Sequence, residues 1–243
     1  MSSPTPAPNS RSAPAERTSL TERRKAATRM EIARAAARLF VGQGLRATRA
    51  EDIARAAGIA PRTFYRYFAS KEEAVAPLYA AGAQRWKEAV AAAPGGLPLP
   101  QVLEHAARHT LTPGAGVSAA SWELVRTLIR LTDTSPALGK VWAEVCREAE
   151  AELAEVLADR VADEEPGNAG GKGPDNVGRE AAGTGASAAL RFAAAVAGAA
   201  VRVAVETWAA GTAPASGPQG PATLALRNLA ALREFPWTEL AGR

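Results

Sequence analysis

Residues 61–68 read Pro-Arg-Thr-Phe-Tyr-Arg-Tyr-Phe, and four of the chain's thirteen aromatic residues fall between 64 and 68. On a helix, Phe64 and Phe68 stand four apart and share a face. Arg62, Thr63, Tyr65 and Arg66 then project from other faces. One apolar face and several donor-bearing ones suit a helix locked to a support and laid in the major groove of DNA, which is wide enough for one helix. The exposed face of such a helix must carry donors, and its buried face must lock it to the support. A small aromatic core on a surface helix would account for Phe64 and Phe68, but not for two tyrosines flanked by arginines.

No comparable set of residues points to catalysis. There is no Gly-rich phosphate loop, nucleophile elbow or Cys/His cluster. His105 and His109 stand at i and i+4, the spacing of a metal pair, but no third ligand is apparent, so neither a metal nor any other cofactor is expected. The single cysteine, Cys146, excludes an internal disulfide. It lies beside the apolar face of its helix and reads as a small hydrophobe rather than a redox sensor. The residues therefore argue for binding and not for an enzyme.

The elements needed to position residues 61–68 are legible on either side. The chain has 243 residues, 47% of them hydrophobic and only 5% aromatic. Alanine accounts for 59 of the 243, which favours helices over strands. Ser19-Leu-Thr-Glu22 matches a capping box and opens a helix to about Val41, with Ile32, Ala36, Leu39 and Phe40 on one face and Gly42 and Gly44 at its end. Thr48-Arg-Ala-Glu51 is a second capping box, opening a short helix to about Ala57. Gly58 allows a tight turn of positive φ, Ile59 can plug the core beneath it, and Pro61 suits the first position of the next helix. This is the pattern of a helix-turn-helix, in which the first short helix crosses the DNA backbone and the second enters the groove. A third capping box, Ser70-Lys-Glu-Glu73, opens a helix to about Ala93, which Pro77 would kink.

After the break at Pro94–Pro100, helices are expected over 100–111, 117–133, 136–162, 187–211 and 221–234, with Ser135-Pro136 capping the third of these. Residues 1–18 read as a disordered tail without periodicity, and 163–186 as a flexible Gly-rich loop. No strand shows convincing alternation. The expected fold is all-α, about nine helices: a DNA-binding unit over 19–71 and a helical carrier over 72–243.

Charge follows the same division. Residues 1–71 hold 14 Lys and Arg against 5 Asp and Glu, whereas residues 72–243 hold 15 against 20. A basic end on an acidic remainder suits a nucleic-acid-binding module on a carrier. The N-terminus lacks the apolar core of a signal peptide. The most apolar stretch, Ala186–Ala210, has no charge-free run longer than the ten residues between Arg191 and Arg202, against the ~20 of a membrane span. A cytoplasmic protein with no membrane partner is expected.

The run Thr48-Arg-Ala-Glu-Asp-Ile-Ala-Arg-Ala-Ala-Gly-Ile-Ala-Pro-Arg-Thr-Phe-Tyr-Arg-Tyr-Phe-Ala-Ser-Lys71 resembles the DNA-binding signature of the tetracycline-repressor (TetR) family. The resemblance is strong over about 20–75; beyond 75 it covers only architecture. It departs at Arg49, where that family often has threonine, and at Ala60, where a small polar cap is common. By position, the resemblance implies that Pro61, Arg62 and Thr63 lie at the groove-entering end of the recognition helix. Arg66 would read bases, and Tyr65 and Tyr67 would touch phosphates or a thymine methyl. Lys71 would clamp a phosphate, while Thr48 and Arg49 would hold the backbone from the supporting helix. It further implies a homodimer on a double-stranded, inverted-repeat operator, and regulation of transcription, expected as repression relieved by a small-molecule effector; the alternatives are a structural or constitutive DNA-binding dimer without effector, or an activator.

Pairing would run through the last two helices. Ala193, Ala194, Ala197, Gly198, Ala200 and Ala204 on one, and Leu224, Leu229 and Leu232 on the other, would either form that interface or complete the monomer's own core. Trp86, Trp122, Trp142 and Trp208 stand on four different helices. They either line an apolar effector cavity or fill a core that alanine leaves underfilled. Arg126, with Arg130 and Glu206, would meet a polar ligand group or face water.

Overall fold

A computed structural model describes residues 19–114, 119–164, 177–231 and 233. The tail 1–18 and Leu232 lie outside them. Nine α-helices and one 3-10 turn account for the regular structure of the described residues, with no strand. The first helix, α1 (Leu20–Gln43), is capped by Ser19, whose Oγ accepts from the Glu22 amide at 3.2 Å. It runs through Gly42 and ends only at Gly44, whose φ of 88° lets its N–H reach back to the Phe40 carbonyl at 3.1 Å. Ile32, Ala33, Ala36 and Phe40 form its buried stripe.

Helices α2 (Ala50–Ala56) and α3 (Pro61–Tyr67) follow. The expected long helix from Ser70 to Ala93 is instead divided. Ser70 Oγ does accept from the Glu73 amide at 3.2 Å. Only a 3-10 turn, Glu73–Val75, forms there, and α4 spans Ala76–Ala91. Pro77 has no N–H to return to the Glu73 carbonyl, so the helix restarts with proline in its first turn, where none is required. Then come α5 (Leu99–Leu111), α6 (Ala119–Thr134), α7 (Pro136–Glu164), α8 (Val177–Ala210) and α9 (Pro221–Ala230). Ser135 caps α7 as expected, accepting from the Leu138 amide at 3.3 Å.

Part of the loop expected over 163–186 is helical. Residues 163 and 164 belong to α7, and α8 begins at Val177. The alanines between 181 and 189 outweigh Gly183 and Gly185 in helix propensity. Residues 165–176 lie outside the described ones.

Two apolar clusters fill the interior. One runs from Ile32, Phe40, Ile53, Phe64 and Phe68 through Tyr79, Trp122 and Leu138 to Trp208. The other joins the far ends of α4 and α7 to α5, α8 and α9. The first cluster crosses residue 71, so the three N-terminal helices share a core with the carrier. Helix α1 packs directly on α4 and α6. Arg160 of α7 donates to the carbonyls of Val90, Ala91, Ala93 and Pro94 at 2.9–3.3 Å, closing the C-terminal end of α4.

The small residues of α8 serve packing within the chain. Ala193, Ala194, Ala197 and Ala204 are buried against its neighbours, and a Cβ on Gly198 would stand 2.9 Å from Glu150 Cγ of α7. Leu229 is buried and Leu224 packs on the same cluster. These positions contribute to the monomer's own core. By length and composition, Ala188–Ala210 could cross a membrane, with a mean hydropathy of 1.7. Here it packs on α6, α7 and α9.

Phe64 is fully buried. Phe64→Ala should therefore lower stability by about 3–5 kcal/mol, measured by urea denaturation. A loss below about 1 kcal/mol would contradict its place in the core.

Candidate nucleic-acid interface and interior cavity

A seven-residue helix does not persist by itself in water, so α3 depends on what holds it. The turn before it is built on Gly58, with φ of 69°. Ile59 N–H donates to the Ala54 carbonyl at 2.9 Å and Gly58 N–H to that of Arg55 at 3.1 Å. This pair of bonds ends a helix on a left-handed glycine. Phe64 and Phe68, with ring centroids 5.8 Å apart, sink into the cluster containing Phe40, Ile53 and Ile59. Arg29 of α1 donates Nη1 to the Tyr67 carbonyl at 3.0 Å, and its guanidinium lies 4.6 Å over the Phe68 ring. Tyr65 donates its hydroxyl to Glu51 Oε1 at 3.2 Å, tying α3 to α2.

The outward side of α3 is donor-rich. Pro61, Arg62, Tyr65 and Arg66 are exposed and share one face; Thr63 and Tyr67 are half-buried. The Arg66 guanidinium lies 5.6 Å from the Tyr67 ring centroid. Ala60 is the N-cap and supplies no side-chain bond.

Two positions expected at the DNA are turned inward. Thr48 is fully buried: its Oγ1 donates to the Gly44 carbonyl at 2.9 Å and accepts from Gln43 Nε2 at 3.2 Å. It does not cap α2. The cap falls to Arg49, and Asp52, not Glu51, accepts from the Arg49 amide at 3.2 Å. The Arg49 side chain is exposed beside α2. Lys71 is half-buried, and its Nζ donates to the carbonyls of Leu45 at 2.7 Å and Thr48 at 2.8 Å. The ammonium ties the α1–α2 loop to the start of the carrier. Arg29 was not singled out from sequence. Its signal was its place three residues before Ile32 and four before Ala33, on the buried stripe of α1.

A cavity of about 160 Å³ lies among α4, α5, α6, α7 and α8. Trp86, Trp122 and Trp142 line it, together with Tyr79, Val145 and Cys146. Trp208 and Arg126 do not. Trp208 lies past Val205, the last residue of α8 on the cavity wall, and packs edge-on against Trp122 with centroids 5.4 Å apart. Its Nε1 donates to the Ala213 and Pro214 carbonyls at 3.2 Å. The Arg126 guanidinium lies 4.2 Å over that ring, and its Nη2 also donates to the Ala213 carbonyl. Arg126 thus fastens the loop after α8, as does Arg130, which donates to the carbonyls of Ala209 and Gly211.

On the wall, Trp142 donates Nε1 to Glu206 Oε1 at 2.7 Å, and Glu206 also receives Arg202 at 3.4 Å. Tyr79 donates its hydroxyl to the Leu128 carbonyl at 3.0 Å, linking α4 to α6. Burial raises the pKa of the Tyr79 hydroxyl and pushes the Cys146 thiol up to about 12, so that thiol stays protonated at neutral pH. His105 and His109 are exposed, and among the described residues no three His, Cys, Asp or Glu side chains gather as metal ligands.

A helix-turn-helix with an exposed basic face, set on a helical carrier with an interior cavity, defines a DNA-binding protein of the helix-turn-helix class. Residues 32–76 match the family described as bacterial regulatory proteins, tetR family. The chain is 32% identical over 161 residues to the HTH-type transcriptional regulator TcmR of Streptomyces glaucescens, covering 65% of this chain and 71% of that relative. It belongs to the TetR family of transcriptional regulators. In fold it is similar to a TetR-family regulator from Rhodococcus sp., with a TM-score of 0.50 at 15% identity over 84% of this chain and 98% of the other. The Thermus thermophilus repressor FadR, solved with lauroyl-CoA, has a TM-score of 0.48 at 23% identity, over 86% and 97%.

Lys71→Met removes two charge-assisted hydrogen bonds and should destabilise the protein by about 1.5–3 kcal/mol. If these bonds persist on DNA, the slope of log affinity against log salt on random duplex should not change, because the ammonium then neutralises no phosphate. A slope lower by about one per subunit would return Lys71 to the DNA backbone.

Proposed function

We propose that this TetR-family regulator is a cytoplasmic, homodimeric repressor that leaves its operator when a small molecule fills the interior cavity. One observation carries the reading. Two of the helices that wall the cavity, α4 and α6, which carry Tyr79 and Trp122, also abut α1. A ligand that spreads α4 from α6 changes the seat of α1, and α1 holds α3 through Arg29 and the buried phenylalanines. The two faces of the switch are therefore in mechanical contact.

Within the DNA complex, Arg66 reads guanine, Arg62 and Thr63 lie at the groove-entering end of α3, Tyr65 and Tyr67 flank them, and Arg49 neutralises a phosphate. The exposure of Arg49, Arg62 and Arg66 supports these roles. Pairing uses the outward stripe of α8, where Phe192 is 55% and Val203 46% exposed. Two-fold symmetry then demands an inverted repeat, with half-sites ~34–36 Å apart or a multiple of that.

Genome-wide mapping of bound sites supplies the operator for two tests by fluorescence anisotropy. Arg66→Ala should cost about 1–3 kcal/mol on the operator and little on scrambled duplex; equal losses on both would make Arg66 a phosphate contact. Ala83→Phe places a ring in the cavity without any ligand. If filling it releases DNA, operator affinity should fall roughly 5–150-fold, the usual range of such coupling, with circular dichroism unchanged. Unaltered affinity in a folded variant would favour a constitutive DNA-binding dimer.

A further inference from the structure

We propose that Glu51, in the first turn of α2, is a specificity-determining residue: its carboxylate, held by the Tyr65 hydroxyl, accepts a hydrogen bond from the amino group of a cytosine in the major groove. This rests on the groove reading of α3 given above and adds a second reader, carried by the supporting helix.

The first turn of α2 holds two acidic residues, and they are used differently. Asp52 serves its own helix. One of its oxygens accepts from the Arg49 amide at 3.2 Å and the other from Arg55 Nη1 at 3.1 Å. Negative charge beside the free amides of a helix start is stabilising, and Asp52 already meets that need. Glu51 takes no part in the cap. It is exposed and reaches across to α3, where its Oε1 accepts from the Tyr65 hydroxyl at 3.2 Å. Its Oε2 has no partner among the described residues. Desolvation, then the charge of Glu51 and its hydrogen bond, raise the pKa of the Tyr65 hydroxyl, so the tyrosine keeps its proton and is the donor of this bond.

Tyr65 shares the exposed face of α3 with Pro61, Arg62 and Arg66. The bond to Tyr65 therefore sets an anion at the edge of a face that is otherwise rich in donors. A carboxylate is repelled by phosphates, and the base edges leave it few options. In the major groove guanine presents the acceptors N7 and O6, and thymine the acceptor O4. Adenine sets the acceptor N7 beside its N6 donor. Cytosine alone presents a donor and no acceptor of its own. An unheld glutamate would lose side-chain freedom on reaching that donor; one already fixed by Tyr65 loses less.

Fluorescence anisotropy of the full chain tests this on the mapped operator and on duplexes that carry each of the four base pairs in turn at every half-site position. The wild type should favour cytosine at one position by roughly 5–150-fold, the usual discrimination at a single base pair. Glu51→Gln should move that preference to adenine, because a carboxamide donates to N7 and accepts from N6. Glu51→Ala should erase it. Tyr65→Phe keeps the ring and loses the hydroxyl, so it should narrow the same preference without changing its sense. Circular dichroism checks folding, and if one Glu51 variant fails to fold the other carries the comparison. Base preferences that match the wild type at every position in the Glu51 variants overturn the proposal. So does a change confined to positions where the wild type does not favour cytosine. A cytosine preference untouched by Tyr65→Phe overturns the positioning role of the tyrosine. Arg66→Ala on the same duplexes separates the two levels. If it relaxes a position and the Glu51 variants relax none, the groove reading of α3 stands and the role of Glu51 falls. If no substitution alters any preference, both fall.

Discussion

Everything presented to DNA depends on clamping a helix too short to exist alone. Seven residues yield few internal hydrogen bonds, and nucleation is unfavourable. Helix α3 persists because Phe64 and Phe68 are buried and because Arg29 grips its last carbonyl while covering the Phe68 ring. Those contacts set the rotation of α3 about its axis. Rotation in turn decides that Arg62, Tyr65 and Arg66 face outward. A loss anywhere in the clamp would therefore be felt as a loss of aim, even where the arginines themselves are intact.

The clamp is also where the N-terminal helices and the carrier meet. Lys71 bridges the α1–α2 loop to the start of the carrier through two carbonyls, and α1 lies against α4 and α6. The apolar cluster containing Phe64 continues without a break to Trp122 and Trp208. Packed interiors transmit displacement because they are dense and have discrete arrangements. A rearrangement at Tyr79 or Trp122 consequently has a short path to α1.

An alanine-rich interior leaves volume that a few large side chains must manage. Trp208 fills its share, edge-on to Trp122, under the Arg126 guanidinium and bonded to the loop after α8. Trp142 is anchored by Glu206. Trp86 and Trp122 are as deeply placed but lack acceptors. The four look alike in sequence, yet two fasten the scaffold through their nitrogens and two do not.

Local rules suffice for local features, and these were legible in the chain itself. Helix content followed from alanine, the α2–α3 turn from Gly58, the start of α3 from Pro61 and its buried face from the i, i+4 pair Phe64 and Phe68. Family membership followed from the run 48–71. Side-chain direction across elements was not legible, because it depends on what lies opposite. Thr48 and Lys71 have the right types and positions to touch DNA, but carbonyls of the α1–α2 loop lie within 3 Å and take both. Arg29 looks like any other arginine of α1 until the end of α3 is set beside it. The same holds for the small face of α8, used against α7 within the chain, and for the division of four tryptophans between scaffold and cavity. Hydrogen-bond partners distant in sequence decide such roles, and only the tertiary structure brings them together.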